Sequence, residues 1–327
     1  ILPMVLLGGL VTSAEAGLAV PDGTPFTFDR FMFLYPLESM TGEWRVYLEH
    51  THRLYGSLVG FIAIAFAAYG LGVGTRLTER LLPVIVLAIV GLQGYLGAAR
   101  VTEESTGLAI VHGLLGQVTI AFAAFVAAWI AMNAHRVPGP LDGRQDRGAR
   151  RVRLFATALT HLLILQIALG GAYRHLSAAE GEAAKGASHA LWTHVVLSFA
   201  VVLLALLAGM LAMDRRKKAG DDGGEPSGIL AHPLNDVVGR LGMGLLVVVI
   251  IQFVLGWLAL LAVRTSGRTG SMPRAEEIAT TPQVPLAETL VTTVHQATGA
   301  LLFATAAATY AVGMRLVRKR GPRGAPD

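Results

Sequence analysis

The chain has no cysteine, few charges and few aromatic residues. Without thiols it can form no disulfide, zinc–thiolate site or iron–sulfur cluster and can perform no thiol catalysis. The same absence is silent about compartment, because a thiol-free protein is indifferent to redox poise. Charged residues make up 15% of its 327 residues, where an ordinary soluble chain carries about 25%. Hydrophobic residues reach 53%, and they fall in runs of about 20, long enough to cross a hydrocarbon core of roughly 30 Å. A soluble enzyme, a disordered chain and a nucleic-acid module are thereby excluded, despite a net charge of +5. Ten histidines remain as the principal chemistry-bearing residues.

Seven complete apolar spans are predicted, at 52–71, 81–98, 108–133, 154–173, 191–213, 241–263 and 291–312. An eighth, at 1–11, is too short to span. The chain opens on Ile1, so the expectation is a first helix whose start is missing. A cleaved signal peptide at Ala14-Glu15-Ala16 is the rival reading, and it lacks a basic n-region. The expected fold is an all-α polytopic membrane protein of eight transmembrane helices. Arg76 and Arg80, Arg136 to Arg153, Arg215 to Lys218 with Arg240, and Arg315 to Arg323 hold eighteen of the 27 Lys and Arg. The positive-inside rule makes these segments and both termini cytoplasmic, in a bacterial cytoplasmic membrane. The positive charge then expresses topology and lipid attraction and requires no nucleic acid. A long outer loop, 12–48, is rich in Pro, Gly and aromatics, and long loops in compact proteins tend to be functional.

The odd-numbered helices share Gln-x-x-Leu-Gly, at Gln93 to Gly97, Gln166 to Gly170 and Gln252 to Gly256. The even-numbered helices open with His and place a small residue four later: His52 with Gly56, His112 with Gly116, His194 with Ser198, His295 with Gly299. The unit is a helix pair occurring four times, giving two pseudo-repeated four-helix bundles. The expected halves are 1–135 and 152–327, joined by a basic cytoplasmic linker at 136–151. Repeats of this kind build sites between or within halves. Helix packing alone explains the Gly and Leu, but not a His at the same point of every second helix.

His52, His112, His194 and His295 all lie within about one turn of the outer end of their helices, and ionisable residues at such depth are functional candidates. Metal ligation, proton relay and interhelical hydrogen bonding are the available roles. Four equivalent His in two halves suit two bis-His haem sites, one per half, whereas proton relays usually add buried acids and the spans contain no Asp. His161 lacks an equivalent and reads as a packed or hydrogen-bonded side chain. His50 and His189 break the register, and His135, His175 and His232 read as loop or helix-end residues. Arg100, Arg174 and Arg264 each follow an odd helix at the outer surface. They suit haem propionates equally well as they suit helix C-termini, where the macrodipole and snorkelling favour a cation.

One constellation exceeds ligation. Glu49, His52 and Arg53 stand at i, i+3 and i+4 on one helical face. A carboxylate one turn before a ligand can orient it, move protons or bind an oxidised intermediate. The ordinary explanation is a helix N-terminal acid paired with Arg53. The other repeats carry Ala109, Leu191 and Thr292 at that point, an asymmetry expected if the first half alone does chemistry.

Glu49-x-x-His52-Arg53, together with Gly9-Leu10-Val11-Thr12, Gly17 to Asp22, Pro36-Leu37, Met40, Gly42 and the His at the heads of the even helices, resembles the haem A synthase family. The resemblance implies a membrane enzyme that oxidises the C8 methyl group of haem O to the formyl group of haem A for terminal oxidases. It implies that His52 and His112 hold the substrate haem O and the product haem A. It further implies that His194 and His295 hold a haem B cofactor and that Glu49 is the catalytic carboxylate. Two departures stand out: many members carry an outer-loop Cys pair that this chain lacks, and Gly23-Thr24 follows Asp22 where the family often has Trp-Pro. Two His on one iron leave no position for dioxygen. Either one ligand leaves during turnover, or electron abstraction is followed by water attack with Glu49 taking the proton.

The alternative reading is a dihaem b-type electron-transfer protein that uses the same four His without group chemistry. A transporter or quinone-binding assembly protein would make the His structural. A prenyltransferase would need Asp-rich diphosphate motifs, and the adjacent pair Asp221-Asp222 lies in a Gly-rich linker. The partners expected are haem O and the lipid bilayer, with a haem O synthase, a terminal oxidase and an electron acceptor as further candidates. The sequence leaves the oligomeric state unassigned.

Overall fold

In hydrocarbon every backbone N–H and C=O must be satisfied within its own segment, so the long apolar runs of this chain can only be helices. The computed structural model describes residues 1–21, 23, 25–36, 42–134, 147–177, 182–221, 234–266 and 273–316. Of the residues singled out above, Asp22, Thr24, Leu37, Met40, His135, His232 and most of the linker lie outside these.

Among the described residues eight α-helices follow in order: α1 (Leu2–Ser13), α2 (Trp44–Val73), α3 (Leu77–Thr102), α4 (Thr106–Ala134), α5 (Arg147–Leu176), α6 (Glu182–Asp221), α7 (Leu234–Ser266) and α8 (Leu286–Leu316). Seven of them contain stretches long and apolar enough to cross a membrane, and α1 is a shorter apolar helix. The chain is a polytopic helical membrane protein, as its sequence predicts. Its burial pattern is inverted relative to a soluble fold. On α2, Leu58, Phe61, Ile62, Ile64 and Tyr69 are exposed, while Arg45, Glu49, His50 and Arg53 are buried.

The α2–α3 connection shows how the sequence sets a tight turn. The Glu79 carboxylate accepts hydrogen bonds from the backbone N–H groups of Thr75 (3.0 Å) and Arg76 (3.2 Å), satisfying donors that a helix N-terminus leaves unpaired. Gly70 allows the close approach, because a Cβ there would stand 2.7 Å from Pro83 Cγ and 2.9 Å from the Glu79 carbonyl.

The loop between α1 and α2 carries the one strand pairing among the described residues, β1 (Phe26–Thr27) against β2 (Arg30–Phe31), antiparallel, followed by a 3₁₀ turn at Met32–Leu34. Phe28 and Asp29, at the hairpin tip, have φ of 46° and 60°, the double left-handed conformation that matches strand twist in a two-residue hairpin.

The chain forms two compact units, one of residues 1–120, 166–196 and 252–300, the other of 121–165, 197–251 and 301–327. Each draws on both halves of the sequence. The first has small cores of Val11, Ala14, Ala16 and Leu48, and of Ala19, Val20, Val46 and Ile278. The second is centred on Met132, Val152, Ala212, Leu234, Val238, Val312 and Leu316. Within it α6 and α7 meet at glycines: a Cβ on Gly242 would lie 2.7 Å from Ala212 Cβ and 2.8 Å from the Gly209 carbonyl. Small residues of this sort let membrane helices approach closely.

Candidate functional site

The four repeat histidines all belong to the first unit, and each is seated in the same way. A Cβ built on Gly97 would meet His112 Cε1 at 3.0 Å, one on Gly170 would meet His194 Cε1 at 3.0 Å, and one on Gly256 would meet His295 Cε1 at 3.1 Å. Thus the glycine that closes each Gln-x-x-Leu-Gly segment is the floor on which an imidazole rests. His52 rests on Gly8 of α1, again at 3.0 Å. The fourth odd helix is therefore α1, with Leu7-Gly8 as its Leu-Gly. Sequence reading found three of the four segments because Met4 stands where the others have Gln. The spacing Met4-x-x-Leu7-Gly8 was the available signal.

The glutamines act on the facing histidine helix. Gln93 Nε2 donates to the His112 carbonyl (2.8 Å) and Gln166 Nε2 to the His194 carbonyl (2.9 Å). In return His112 Nδ1 bonds the Gln93 carbonyl (3.2 Å) and His194 Nδ1 the Gln166 carbonyl (2.8 Å). A carbonyl can only accept, so Nδ1 carries the proton and Nε2 keeps the lone pair, the tautomer a metal ligand requires; on His112 that nitrogen lies 3.5 Å from Gln93 Nε2. Among the described residues the covered Nδ1 of His52 has no hydrogen-bond partner, and that of His295 stands beside the Gln252 backbone without a short hydrogen bond.

The His194 and His295 ring centres are 6.5 Å apart with planes at 78°. Two imidazoles held by one metal at about 2 Å per nitrogen have centres roughly 6 Å apart, so the separation of this pair is close to that of two ligands on one metal ion. Among the described residues no three His, Asp or Glu gather to hold a bare metal ion. A pair of axial imidazoles, with the remaining donors brought by a macrocycle, is the donor set these residues can offer. His112 lies within electrostatic range of His52. His175, predicted to be a helix-end residue, comes within range of Arg174, Arg100 and His112.

Glu49 is 2% exposed and both its oxygens are engaged. Oε1 accepts from Arg53 Nη2 at 2.9 Å and Oε2 from the Val20 backbone N–H at 2.8 Å. Arg53 also donates to the Val20 and Phe26 carbonyls, each at 2.9 Å. The i, i+4 pair is present as the sequence predicts, and in addition it fastens Val20 and Phe26 of the α1–α2 loop. His50 joins this fastening: 1% exposed, it shares a 3.0 Å hydrogen bond with Thr27 Oγ1 and packs on Tyr35, ring centres 5.3 Å apart.

The three outer arginines differ. Arg100 donates to the Gly17 carbonyl (2.8 Å) and Arg174 to the Thr12 carbonyl (2.7 Å), so one holds the α1–α2 loop and the other the last turn of α1. Arg264 lies over the Trp192 ring, 5.5 Å from its centre. His161 and His189 bond carbonyls of their own helices, those of Thr157 and Lys185. Arg45 escaped sequence reading altogether. It is 1% exposed and donates to the carbonyls of Ala14, Ile278, Thr281 and Pro282.

Fold and site define a polytopic membrane protein that gathers histidines from four helices into one unit, which also holds a loop fastened by arginines. Residues 1–184 match the family model COX15-CtaA, described as cytochrome oxidase assembly protein. The chain belongs to this family, and its role lies in cytochrome oxidase assembly and haem A synthesis. The matched span includes Glu49, His52, Arg53, Arg100, His112 and Arg174 and ends before His194, Arg264 and His295. No curated protein and no solved structure matches the chain.

Proposed function

We propose that the protein is a haem A synthase that oxidises the C8 methyl group of haem O to a formyl group, with His52 and His112 holding the substrate haem and His194 and His295 a haem B. The observation that carries this reading is the fourfold seating of an imidazole on a glycine, combined with a single carboxylate, Glu49, beside one of the four. Bound haem would supply redox chemistry at iron. The chain's own part is ligation through Nε2, orientation through the Gln carbonyls, and a fixed proton-accepting group in Glu49. The buried Arg53 and the Val20 N–H hold that carboxyl group in position, one on each oxygen. Arg100, Arg174 and Arg264, whose guanidinium groups stand at the outer ends of α3, α5 and α7, are the cations offered to propionates. The electron acceptor is an outside partner, and transfer of haem between a haem O synthase and a terminal oxidase through the bilayer fits the role in oxidase assembly.

Extraction and chromatography of the bound haems tests the reading. Haem B together with haem O, a hydroxylated haem O or haem A is the expected result. Haem B alone, with no haem A formed when haem O is supplied, would leave an electron carrier instead.

A further inference from the structure

The four seats are alike in geometry and unlike in one side chain. At three of them a glutamine one turn from the glycine floor faces the histidine helix. Gln93 Nε2 stands 3.1 Å from a Cβ built on Gly116, and Gln252 Nε2 3.1 Å from one built on Gly299. At the fourth, Met4 Cε holds the equivalent place, 3.3 Å from a Cβ built on Gly56. A thioether donates no hydrogen bond. The α1–α2 contact at this level is therefore held by dispersion alone, and neither arm of the reciprocal Gln–His clamp found at His112 and His194 forms at His52. His52 Nδ1 is left bare. His295 Nδ1 makes no short hydrogen bond either, though the Gln252 backbone stands beside it; the side-chain amide is what the α1 seat alone lacks.

Resting on the haem reading above, we infer that His52 is a weakly anchored iron ligand, and that Met4 makes it so by withholding the amide that anchors its counterparts. The amide bonds the histidine's own backbone carbonyl and so fixes the turn that carries the ring; without it that turn, and the imidazole on it, are held less tightly. The first-half iron then has one imidazole that swings away and one, on His112, that stays. That is the coordination change a bis-His site needs before it can admit another ligand. Met4 is a positioning residue acting through His52, and it touches no reacting atom.

The test uses purified protein in detergent with both haems bound, counted first by pyridine haemochrome. Carbon monoxide is then added to the reduced protein and the Soret band followed. One of the two haems is expected to take up carbon monoxide, and it persists in His194→Ala, which removes the other. Met4→Gln, which supplies the missing donor, slows that uptake by about five- to tenfold, the effect of one hydrogen bond. Gln166→Met, which copies the α1 arrangement into the second half, makes the second haem reactive. Equal reactivity of the two haems in the unaltered protein overturns the inference, as does an unchanged rate in Met4→Gln at full haem content. Should Met4→Gln lose haem, the unaltered protein and Gln166→Met still decide. Unaltered protein that binds no haem at all overturns the underlying haem reading instead.

Discussion

Arg45 Nη2 donates a 2.8 Å hydrogen bond to the carbonyl of Pro282, 237 residues away in sequence. Together with its bonds to Ala14, Ile278 and Thr281, this makes one buried guanidinium the fastener of two outer loops. Five fixed N–H donors suit the task, and a lysine cannot reproduce their fork. Arg45→Met is expected to lower stability by roughly 2–4 kcal/mol, because it leaves buried carbonyls without donors. Thermal unfolding in detergent measures this, and Arg45→Lys should recover only part of the loss.

The glycine floors give a matched set of substitutions. Gly97→Ala and Gly170→Ala place a methyl 3.0 Å from His112 Cε1 and His194 Cε1, closer than a carbon contact tolerates. Each should displace its imidazole and remove or convert the haem of that half alone, seen as loss of low-spin absorbance. Gly94, on the same helix as Gly97, has open space at its Cβ, and Gly94→Ala should leave both haems intact. If all three behave alike, the effect is on helix packing and not on the seat.

Glu49→Gln removes a charge while keeping the side chain's shape. The amide can accept from Val20 or from Arg53 but cannot accept on both sides. Haem A formation should be lost with both haems retained, by chromatography of the extract. Cleavage by an added protease between residues 20 and 30 should quicken, since this segment loses part of its fastening. Retained haem A formation would return Glu49 to the role of a structural ion pair.

In the second unit, Gly242→Ala would drive a methyl into Ala212 Cβ and the Gly209 carbonyl. Overpacking of a close helix contact costs about 1–3 kcal/mol. The expected outcome is a lower unfolding temperature with the absorption spectrum of the folded protein unchanged.

The fold was legible because hydrocarbon leaves the backbone no alternative to helices, so run length alone located seven of them. The site was legible where it depends on period and register: His112, His194 and His295 recur with a glycine-ended segment on the preceding helix, and the structure seats each on that glycine. It was obscure where partners come from far along the chain. Nothing about position 20 announces that its N–H bonds Glu49, and Arg45 looks like one more cation at a helix start. His175 is the helix-end residue the sequence predicts, but nothing in its position announces that the last turn of α5 brings it into range of Arg100 and His112. The α1 segment was hidden by a single replacement, Met4 for Gln. A pattern written around the polar residue misses a site that keeps only the glycine.

The fastening of the α1–α2 loop also dictates an order of assembly. The carbonyls of Thr12, in the last turn of α1, and of Gly17, in the loop, wait for Arg174 and Arg100, and Arg45 beside the loop waits for Ile278, Thr281 and Pro282. During synthesis the first four helices emerge long before residue 282. The ribosome therefore delivers the segment over His52 and Glu49 early and leaves it incompletely tied until nearly the whole chain has crossed. Through that interval the segment is held by the bonds that the first four helices supply, Glu49 to Val20, Arg53 to Val20 and Phe26, and Arg100 to Gly17.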